Sequence, residues 1–222
     1  VAETMGLKKR EEPVGGGECE PAPKGWLFPC YTDVEGLRKY RRLIEDGERV
    51  ICTEKIHGAN GRYVHDGERL WVGSRTQIKA PDAKNQWWRV ATELDLNKRL
   101  AAAPMHVFFG EVFGQVQDLK YGITTGYDFR VFDVFDVKAG RFLDFDAAIN
   151  MADALGLPWV PVLYDGPWSP DLEETLAEGK TTLDADHVRE GFVLRPAVER
   201  WHEQCGRVIF KRHGQGYLLR KG

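Results

Sequence analysis

A lysine at the end of an apolar stretch is the residue of this sequence best suited to covalent chemistry. It is Lys55, within ICTEKIHGANGRY at residues 51–63. A lysine amine with its ordinary pKa of about 10.4 is a poor nucleophile, but burial or neighbouring cations favour the neutral, reactive amine. Gly58 follows closely, and a glycine there lets the backbone turn and a phosphate approach. On this motif alone, a strand-end cation before a turn is the simpler interpretation.

Other ionic residues stand at the ends of apolar stretches farther along the chain. Glu111 lies between two glycines and among aromatic residues in FFGEVFG. Glu190 and Arg195 stand near the two ends of EGFVLRP, and Lys211 follows the apolar residues VIF. A buried carboxylate without a partner is costly, so we expect these residues to line one cleft. Each of them alone would more often be an edge charge or a salt-bridge partner.

Strands with interspersed helices are predicted to position these residues. Runs rich in β-branched and aromatic residues predict strands, and Asp, Ser-Pro and Gly at the ends of other segments predict helices. The predicted strands cover residues 49–55, a hairpin over 61–74, and 106–114, 128–137, 159–164, 190–196 and 207–212. The predicted helices cover residues 34–46, 146–156 and 169–179, and residues 85–103 are predicted to form one helix or two. This order favours an antiparallel-rich α+β fold over a doubly wound sheet.

Composition narrows the class of protein. Of 222 residues, 42% are hydrophobic and 29% charged, which is typical of a globular domain. No apolar run is long enough to span a bilayer and the N-terminus has no apolar signal core, so a cytoplasmic protein is expected. The net charge of −3 does not indicate a polyanion ligand, so a nucleic-acid site would have to be a local patch. Residues 1–25, rich in Gly, Pro, Glu and Lys, predict an arm or linker before a domain over 26–222.

Taken together, the motifs resemble those of the covalent nucleotidyltransferases, the group of ATP-dependent RNA ligases, DNA ligases and mRNA capping enzymes. EKIHGAN resembles motif I, with Lys55 as the lysine that takes up AMP, and VGSR resembles the following motif, with Arg75. FFGEVFG, FRVFDV, EGFVLRP and VIFKRH resemble motifs III, IIIa, IV and V, in the order of the family. The resemblance implies an ATP-grasp-like ligase domain, with strands lining a nucleotide cleft and helices at the periphery.

Within that group, the sequence is most similar to RNA ligases that seal nicks in duplexes. The similarity rests on His57 after the lysine, with Glu54 before it and Asn60 beyond, and on GEVFGQVQDLKYG, which resembles the bacterial Deinococcus-type enzymes. Those enzymes carry an OB domain before the catalytic domain, which would place the 1–25 arm after an OB domain. The resemblance implies a monomer that adenylylates a 5′-phosphate and joins it to a 3′-OH, on nicked duplexes with RNA at the 3′-OH side.

The resemblance also implies a role for each matching residue. Lys55 would attack the α-phosphate of ATP, Phe132 would stack on adenine, and Lys211 would neutralise phosphate charge. Glu111 would bind the ribose hydroxyls, and Glu111 and Glu190 would hold Mg²⁺ or Mn²⁺ through water. The implied catalytic residues are Lys55, Glu111, Glu190 and Lys211. The implied nucleotide contacts are Glu54, His57, Gly58, Asn60, Arg75, Phe132, Asp133 and Arg195.

Two positions depart from the family pattern. Motif V of nick-sealing RNA ligases usually has two lysines in K-x-K, whereas this chain has Lys211-Arg212-His213. The role of the second lysine is open between His213, Arg212 and Arg207. Motif IV usually ends in lysine, and Arg195 stands there instead. An arginine binds phosphate in a bidentate way and is not equivalent to lysine.

Two other functions remain open from the sequence. A DNA ligase or a capping-type guanylyltransferase would use the same lysine chemistry. A non-catalytic nucleic-acid-binding module is the alternative from another class, and the intact set of Lys55, Glu111, Glu190 and Lys211 argues against it.

Overall fold

Two five-stranded sheets form the body of the protein, in a computed structural model that describes residues 18–183 and 185–220. The strands are β1 (Glu35–Gly36), β2 (Arg49–Glu54), β3 (Ala59–His65), β4 (Leu70–Ser74), β5 (His106–Gly114), β6 (Tyr127–Asp136), β7 (Arg141–Phe142), β8 (Val162–Pro167), β9 (Gly191–Pro196), β10 (Trp201–His202), β11 (Gly206–Arg207) and β12 (Phe210–His213). The helices are α1 (Leu37–Tyr40), α2 (Gln86–Glu93), α3 (Leu96–Leu100), α4 (Phe145–Ala154), α5 (Leu172–Ala177) and α6 (Gln215–Arg220). A short 3₁₀ turn, Arg41–Leu43, follows α1.

The strand order confirms the antiparallel-rich α+β fold class. The first sheet has the order β1-β12-β9-β2-β8, and the second has the order β4-β3-β5-β6-β7. Neighbouring strands are antiparallel except β1 and β12, which run parallel at the edge of the first sheet. Strands β10 and β11 form a separate hairpin between β9 and β12.

Each sheet packs one face on helices. Successive side chains of a strand point to opposite faces, so apolar residues at alternate positions form one apolar face. In the first sheet, Phe192 and Leu194 of β9 pack in a buried cluster with Leu37 of α1 and Phe210 of β12. The alternate residues of β9, Val193 and Arg195, line a cavity instead. In the second sheet, a larger cluster buries Tyr63, Phe108, Phe129 and Val131 against α2, α3 and α4. The other faces of the two sheets are therefore left to enclose a site.

Several predicted elements differ from those observed. The predicted helix over 34–46 is strand β1, the single turn α1 and the 3₁₀ turn, because Gly36 is extended and pairs with Lys211. The segment over 85–103, predicted as one helix or two, forms the two helices α2 and α3, which are divided at Asp95, whose φ is +50°. The strand predicted over 207–212 also divides, since β11 ends at Arg207 and β12 begins at Phe210.

Part of the predicted N-terminal arm is described and lies against the domain. The backbone N–H of Glu20 donates to the carbonyl of Ile78, and that of Ala80 donates to Glu18. Residues 1–17 of the predicted arm lie outside the described residues. Among the helices that the structure describes, none is long and apolar enough to cross a membrane.

Candidate active site

A cavity of about 420 Å³ lies between the two sheets. The first sheet and its loops contribute Lys55, Val193 and Lys211, and the second contributes Asn60, Glu111 and Phe132. These six residues come from five separate motifs of the sequence and line one cavity.

Lys55 directly follows β2 and faces the start of β9. Its backbone N–H donates to the carbonyl of Gly191 at 3.0 Å, which continues the pairing of β2 with β9 by one residue. Its Nζ lies 2.8 Å from Oε1 of Glu190, and a quarter of its side chain is exposed (25%). Lys55 is thus held by a carboxylate and remains accessible from the cavity.

Glu190 is buried among three basic groups. Oε1 lies 3.4 Å from Nε2 of His213, and Oε2 lies 3.4 Å from Nδ1 of His57. Burial alone would raise the pKa of Glu190, but His213, His57 and the charge of Lys55 outweigh it and hold the pKa well below its usual range. Glu190 is therefore ionised at neutral pH and fixes the charge balance beside Lys55.

Glu111 has the opposite electrostatic character, although it belongs to the same site. Its pKa is raised to about 8, mainly by burial. The charge of Lys55 and the N–H of Gly58 lower this pKa, and the charge of Glu190 raises it. Two carboxylates with pKa values shifted in opposite directions beside one lysine are typical of a functional site. Gly58 approaches so closely that a Cβ there would lie 2.2 Å from the carbonyl oxygen of Val112.

Phe132 reaches the cavity because β6 contains a bulge. Phe109 of β5 pairs with Asp133, and the next residue, Gly110, pairs with Val131, so Phe132 has no partner in β5. A bulge of this kind redirects side chains, and here it puts Phe132 and Asp133 on the side that faces the first sheet. The Phe132 ring packs edge-on against Tyr31, with ring centroids 4.9 Å apart.

Other predicted nucleotide contacts lie around the cavity with partners of their own. Arg75 pairs with Asp33, and both residues line the cavity and are exposed. Glu54 lines the cavity too, but its carboxylate accepts hydrogen bonds from the backbone N–H and the hydroxyl of Thr182, at 2.8 and 2.6 Å, and from Thr181. The two threonines join the loop before β9 to motif I. The sequence does not single them out, because adjacent threonines carry no distinctive chemical signal.

Asp133 and Arg195 form a buried ionic cluster at one end of the cavity. Oδ1 of Asp133 lies 2.9 Å from Nη1 of Arg195, and Oδ2 lies 2.6 Å from Nη1 of Arg207. The hydroxyl of Tyr31 also donates to Asp133, and Glu199 pairs with both arginines. The charges of Asp133 and Arg195 are thus matched within the protein, and their nucleotide contacts stay a prediction.

The three candidates for the second cation of motif V lie in different surroundings. Arg212 faces away from the cavity and pairs with Glu173 at 2.9 Å and Glu174 at 2.8 Å. Arg207 belongs to the buried ionic cluster. His213 lies beside Glu190, so among the three it is the residue next to the predicted catalytic groups.

The carboxylates of the site fit a hydrated divalent cation. Within residues 18–183 and 185–220, no group of three His, Cys, Asp or Glu side chains is arranged to hold a metal directly. Among the described residues, Oε2 of Glu190 is nevertheless buried and accepts no hydrogen bond, and the negative charge of Glu190 raises the pKa of Glu111. A cation that keeps most of its waters and needs one or two carboxylates, as Mg²⁺ does, suits this donor set.

The fold is that of solved RNA ligases. A structure of Naegleria gruberi RNA ligase with PPi has a TM-score of 0.80 and 22% identity, covering 99% of this chain and 66% of that chain. Two mutants of the same ligase, one with ATP and Mn and one with AMP and Mn, each give a TM-score of 0.79 with the same identity and coverage. The chain therefore spans about two thirds of the length of these relatives, at 66%.

The family follows from the sequence match. The family model described as RNA ligase matches residues 48–213, from the start of β2 to the end of β12. This chain therefore belongs to the RNA ligase family. A comparison with curated proteins finds no significant match.

Proposed function

We propose that this chain is the adenylyltransferase domain of an ATP-dependent RNA ligase, which forms a lysyl-AMP intermediate on Lys55. The observation that carries the proposal is the accessible Nζ of Lys55, held 2.8 Å from buried Glu190 at the edge of the 420 Å³ cavity. Membership in the RNA ligase family supports it. Structures of the similar Naegleria ligase with ATP and Mn, and with AMP and Mn, support the nucleotide and the divalent metal.

The site arrangement accounts for the covalent step. Nζ of Lys55 attacks the α-phosphate, a P–N bond forms, and the bond to pyrophosphate breaks as pyrophosphate leaves. The amine must first leave its ion pair with Glu190 and lose a proton to solvent, and nearby positive charge favours this loss. Lys211, which also lines the cavity, neutralises the charge that develops on the α-phosphate. A bound Mg²⁺ or Mn²⁺ would supply further positive charge there, held through water by Glu190 and Glu111.

The remaining residues of the cavity bind the nucleoside. Phe132 is the aromatic ring on which adenine stacks, and Val193 of the first sheet lines the same cavity. Glu111, whose pKa is about 8, can accept a hydrogen bond from a ribose hydroxyl or donate one to it at neutral pH. The proposed substrate of the later steps is a nicked duplex with RNA at the 3′-OH side, sealed by a monomer in the cytoplasm.

The test is the mass of the intact protein after incubation with ATP and Mg²⁺. We expect one added AMP in the wild-type chain and none in Lys55→Ala. Lys98→Ala is the matched control, because Lys98 is an exposed lysine on α3, away from the cavity. A wild-type chain without AMP, or a Lys55→Ala chain that still gains it, would overturn the proposal. Replacing ATP by GTP in the same assay separates an adenylyltransferase from a guanylyltransferase.

A further inference from the structure

The loop between β5 and β6, residues 115–126, holds His57 at two points. The hydroxyl of Tyr121 accepts a hydrogen bond from the backbone N–H of His57 at 2.7 Å. On the same loop, Oδ1 of Asp118 lies 2.8 Å from Nε2 of the His57 ring. The backbone and the ring of a motif I residue are thus fixed from one segment, two residues beyond Lys55.

Tyr121 has an unusual backbone conformation in this loop. Its φ is +51°, in the left-handed region that bulky residues seldom adopt, and Gly122 follows with φ +75°. Its ring is buried, packed edge-on against Phe113 at 5.2 Å and against His187 at 4.7 Å. A strained conformation that is held by buried packing is a reason to look for function at that residue. The packing delivers the hydroxyl to one fixed point beneath motif I.

The turn from Lys55 to Gly58 is held by three different parts of the protein. The N–H of Lys55 donates to Gly191 before β9, that of His57 donates to Tyr121, and that of Gly58 bonds to Glu111 of β5. The first bond is between backbone atoms and the third uses a carboxylate of the site. The Tyr121 hydroxyl can therefore be removed without changing the other two.

We propose that Tyr121 is a positioning residue for the formation of lysyl-AMP, acting through the backbone of His57. The inference rests on the proposed function. Without the hydroxyl, the partly buried N–H of His57 loses its partner, and the turn that carries Lys55 can shift to find another. Attack in line on the α-phosphate depends on the placement of Nζ to within a fraction of an ångström. The proposed adenine contacts, Phe132 and Val193, line the cavity, and Tyr121 does not line it.

The experiment compares single-turnover formation of lysyl-AMP in the wild type and Tyr121→Phe over a range of ATP concentrations. We expect the rate at saturating ATP to fall about tenfold, the effect of one lost hydrogen bond of about 1.4 kcal/mol. The ATP concentration for half-maximal rate should not change. Tyr164→Phe is the matched control, because its hydroxyl likewise bonds to the backbone, here as a donor to the carbonyl of Pro167 at 2.6 Å, on the exposed strand β8. It should keep the wild-type rate.

Each outcome decides a separate question. A wild-type chain that forms no lysyl-AMP overturns the proposed function, and this inference with it. A wild-type chain that reacts beside a Tyr121→Phe chain of equal rate overturns only the inference, as does a change confined to the half-maximal ATP concentration. If Tyr121→Phe does not fold at the assay temperature, both chains are compared at a lower temperature at which both are folded, and an equal rate there overturns the inference in the same way.

Discussion

Glu190 shows how single residues can set the electrostatics of a site. Its neighbours His57 and His213 stabilise the ionised carboxylate, which in turn pairs with Lys55. For Glu111, burial outweighs the charge of Lys55 and the N–H of Gly58, and its pKa rises to about 8. One carboxylate therefore stays charged at neutral pH while the other changes its protonation near that pH. This difference assigns the permanent negative charge beside the lysine to Glu190.

The departure from K-x-K in motif V gives a prediction at two adjacent residues. Residues 211 and 213 have the same strand parity in β12, and Arg212 faces the opposite side, where it pairs with Glu173 and Glu174. We expect His213→Ala to slow lysyl-AMP formation about tenfold, because Glu190 loses a partner that orients it. Arg212→Ala should leave that rate unchanged but lower the free energy of unfolding by about 2 kcal/mol, since a buried ion pair is broken.

The measurements are the rate of AMP addition and the urea midpoint of both variants, taken at a temperature where both are folded. The opposite pattern, with Arg212→Ala slow and His213→Ala normal, would show that Arg212 is the second cation and that His213 plays no part.

At the scale of elements, the contact between the motif I turn and β5 determines where Lys55 lies. The turn between β2 and β3 lies against β5, and a Cβ at Gly58 would lie 2.2 Å from the Val112 carbonyl oxygen and 3.0 Å from Cγ of Glu111. Since the closest atom belongs to the backbone of a central strand, it cannot move aside cheaply. The absence of a side chain at this position therefore lets two sheets meet at the site.

Gly58→Ala is expected to displace the turn and slow lysyl-AMP formation about 100-fold, because small displacements of a reacting group are costly. Gly36→Ala is the matched control. Gly36 has an ordinary extended conformation, with φ −75° and ψ 129°, and no atom within 4 Å of an added Cβ. The assay is AMP addition monitored by mass over time. Equal rates in the two variants would mean that the close approach of Gly58 to β5 has no functional importance.

Sequence patterns predicted elements with strong local signals and missed those that depend on partners. The strand over 106–114 is observed with the same bounds, because its aromatic and β-branched residues are buried on both sides of a central strand. The extended segment at Gly36 was predicted as helix, since only its pairing with β12 makes it a strand. The bulge at Phe132 could not be predicted either, because it is a property of register between two strands.

The same distinction holds for the candidate site. The motifs identified the residues that meet in the cavity, but gave no information on which charges are matched within the protein. Arg212 and His213 are adjacent in sequence, and their different roles follow from Glu173 on α5 and Glu190 before β9. The hydrogen bond between Tyr121 and His57 joins residues that are 64 positions apart in the sequence. Such pairs depend on the folded chain and leave no periodic signal.

At the scale of the whole molecule, a buried ionic cluster joins the two sheets behind the cavity. Asp133 comes from β6 of the second sheet, and Arg195 comes from β9 of the first. Arg207 of the small hairpin and the hydroxyl of Tyr31 complete the shell of Asp133. Burial alone would raise the pKa of Asp133, but the charges of Arg195 and Arg207 outweigh it and hold the pKa below its usual range. The carboxylate of Asp133 thus ties together four segments of the chain.

Asp133→Asn should therefore destabilise the whole domain, because it removes a charge that two buried arginines share. We expect the free energy of unfolding at pH 7 to fall by about 3 kcal/mol. Asp165→Asn is the control, because Asp165 also pairs with an arginine, Arg49, at 2.8 Å, but in an exposed pair whose loss costs about 0.5 kcal/mol. Urea unfolding of the three chains measures both values.

Because the folded-state pKa of Asp133 is lowered, its stabilisation is present above the ordinary aspartate pKa of about 3.9 and is lost as the pH falls below it. The difference between wild type and Asp133→Asn should accordingly narrow in strong acid, and equal costs for the two variants at pH 7 would show that the cluster does not hold the sheets together.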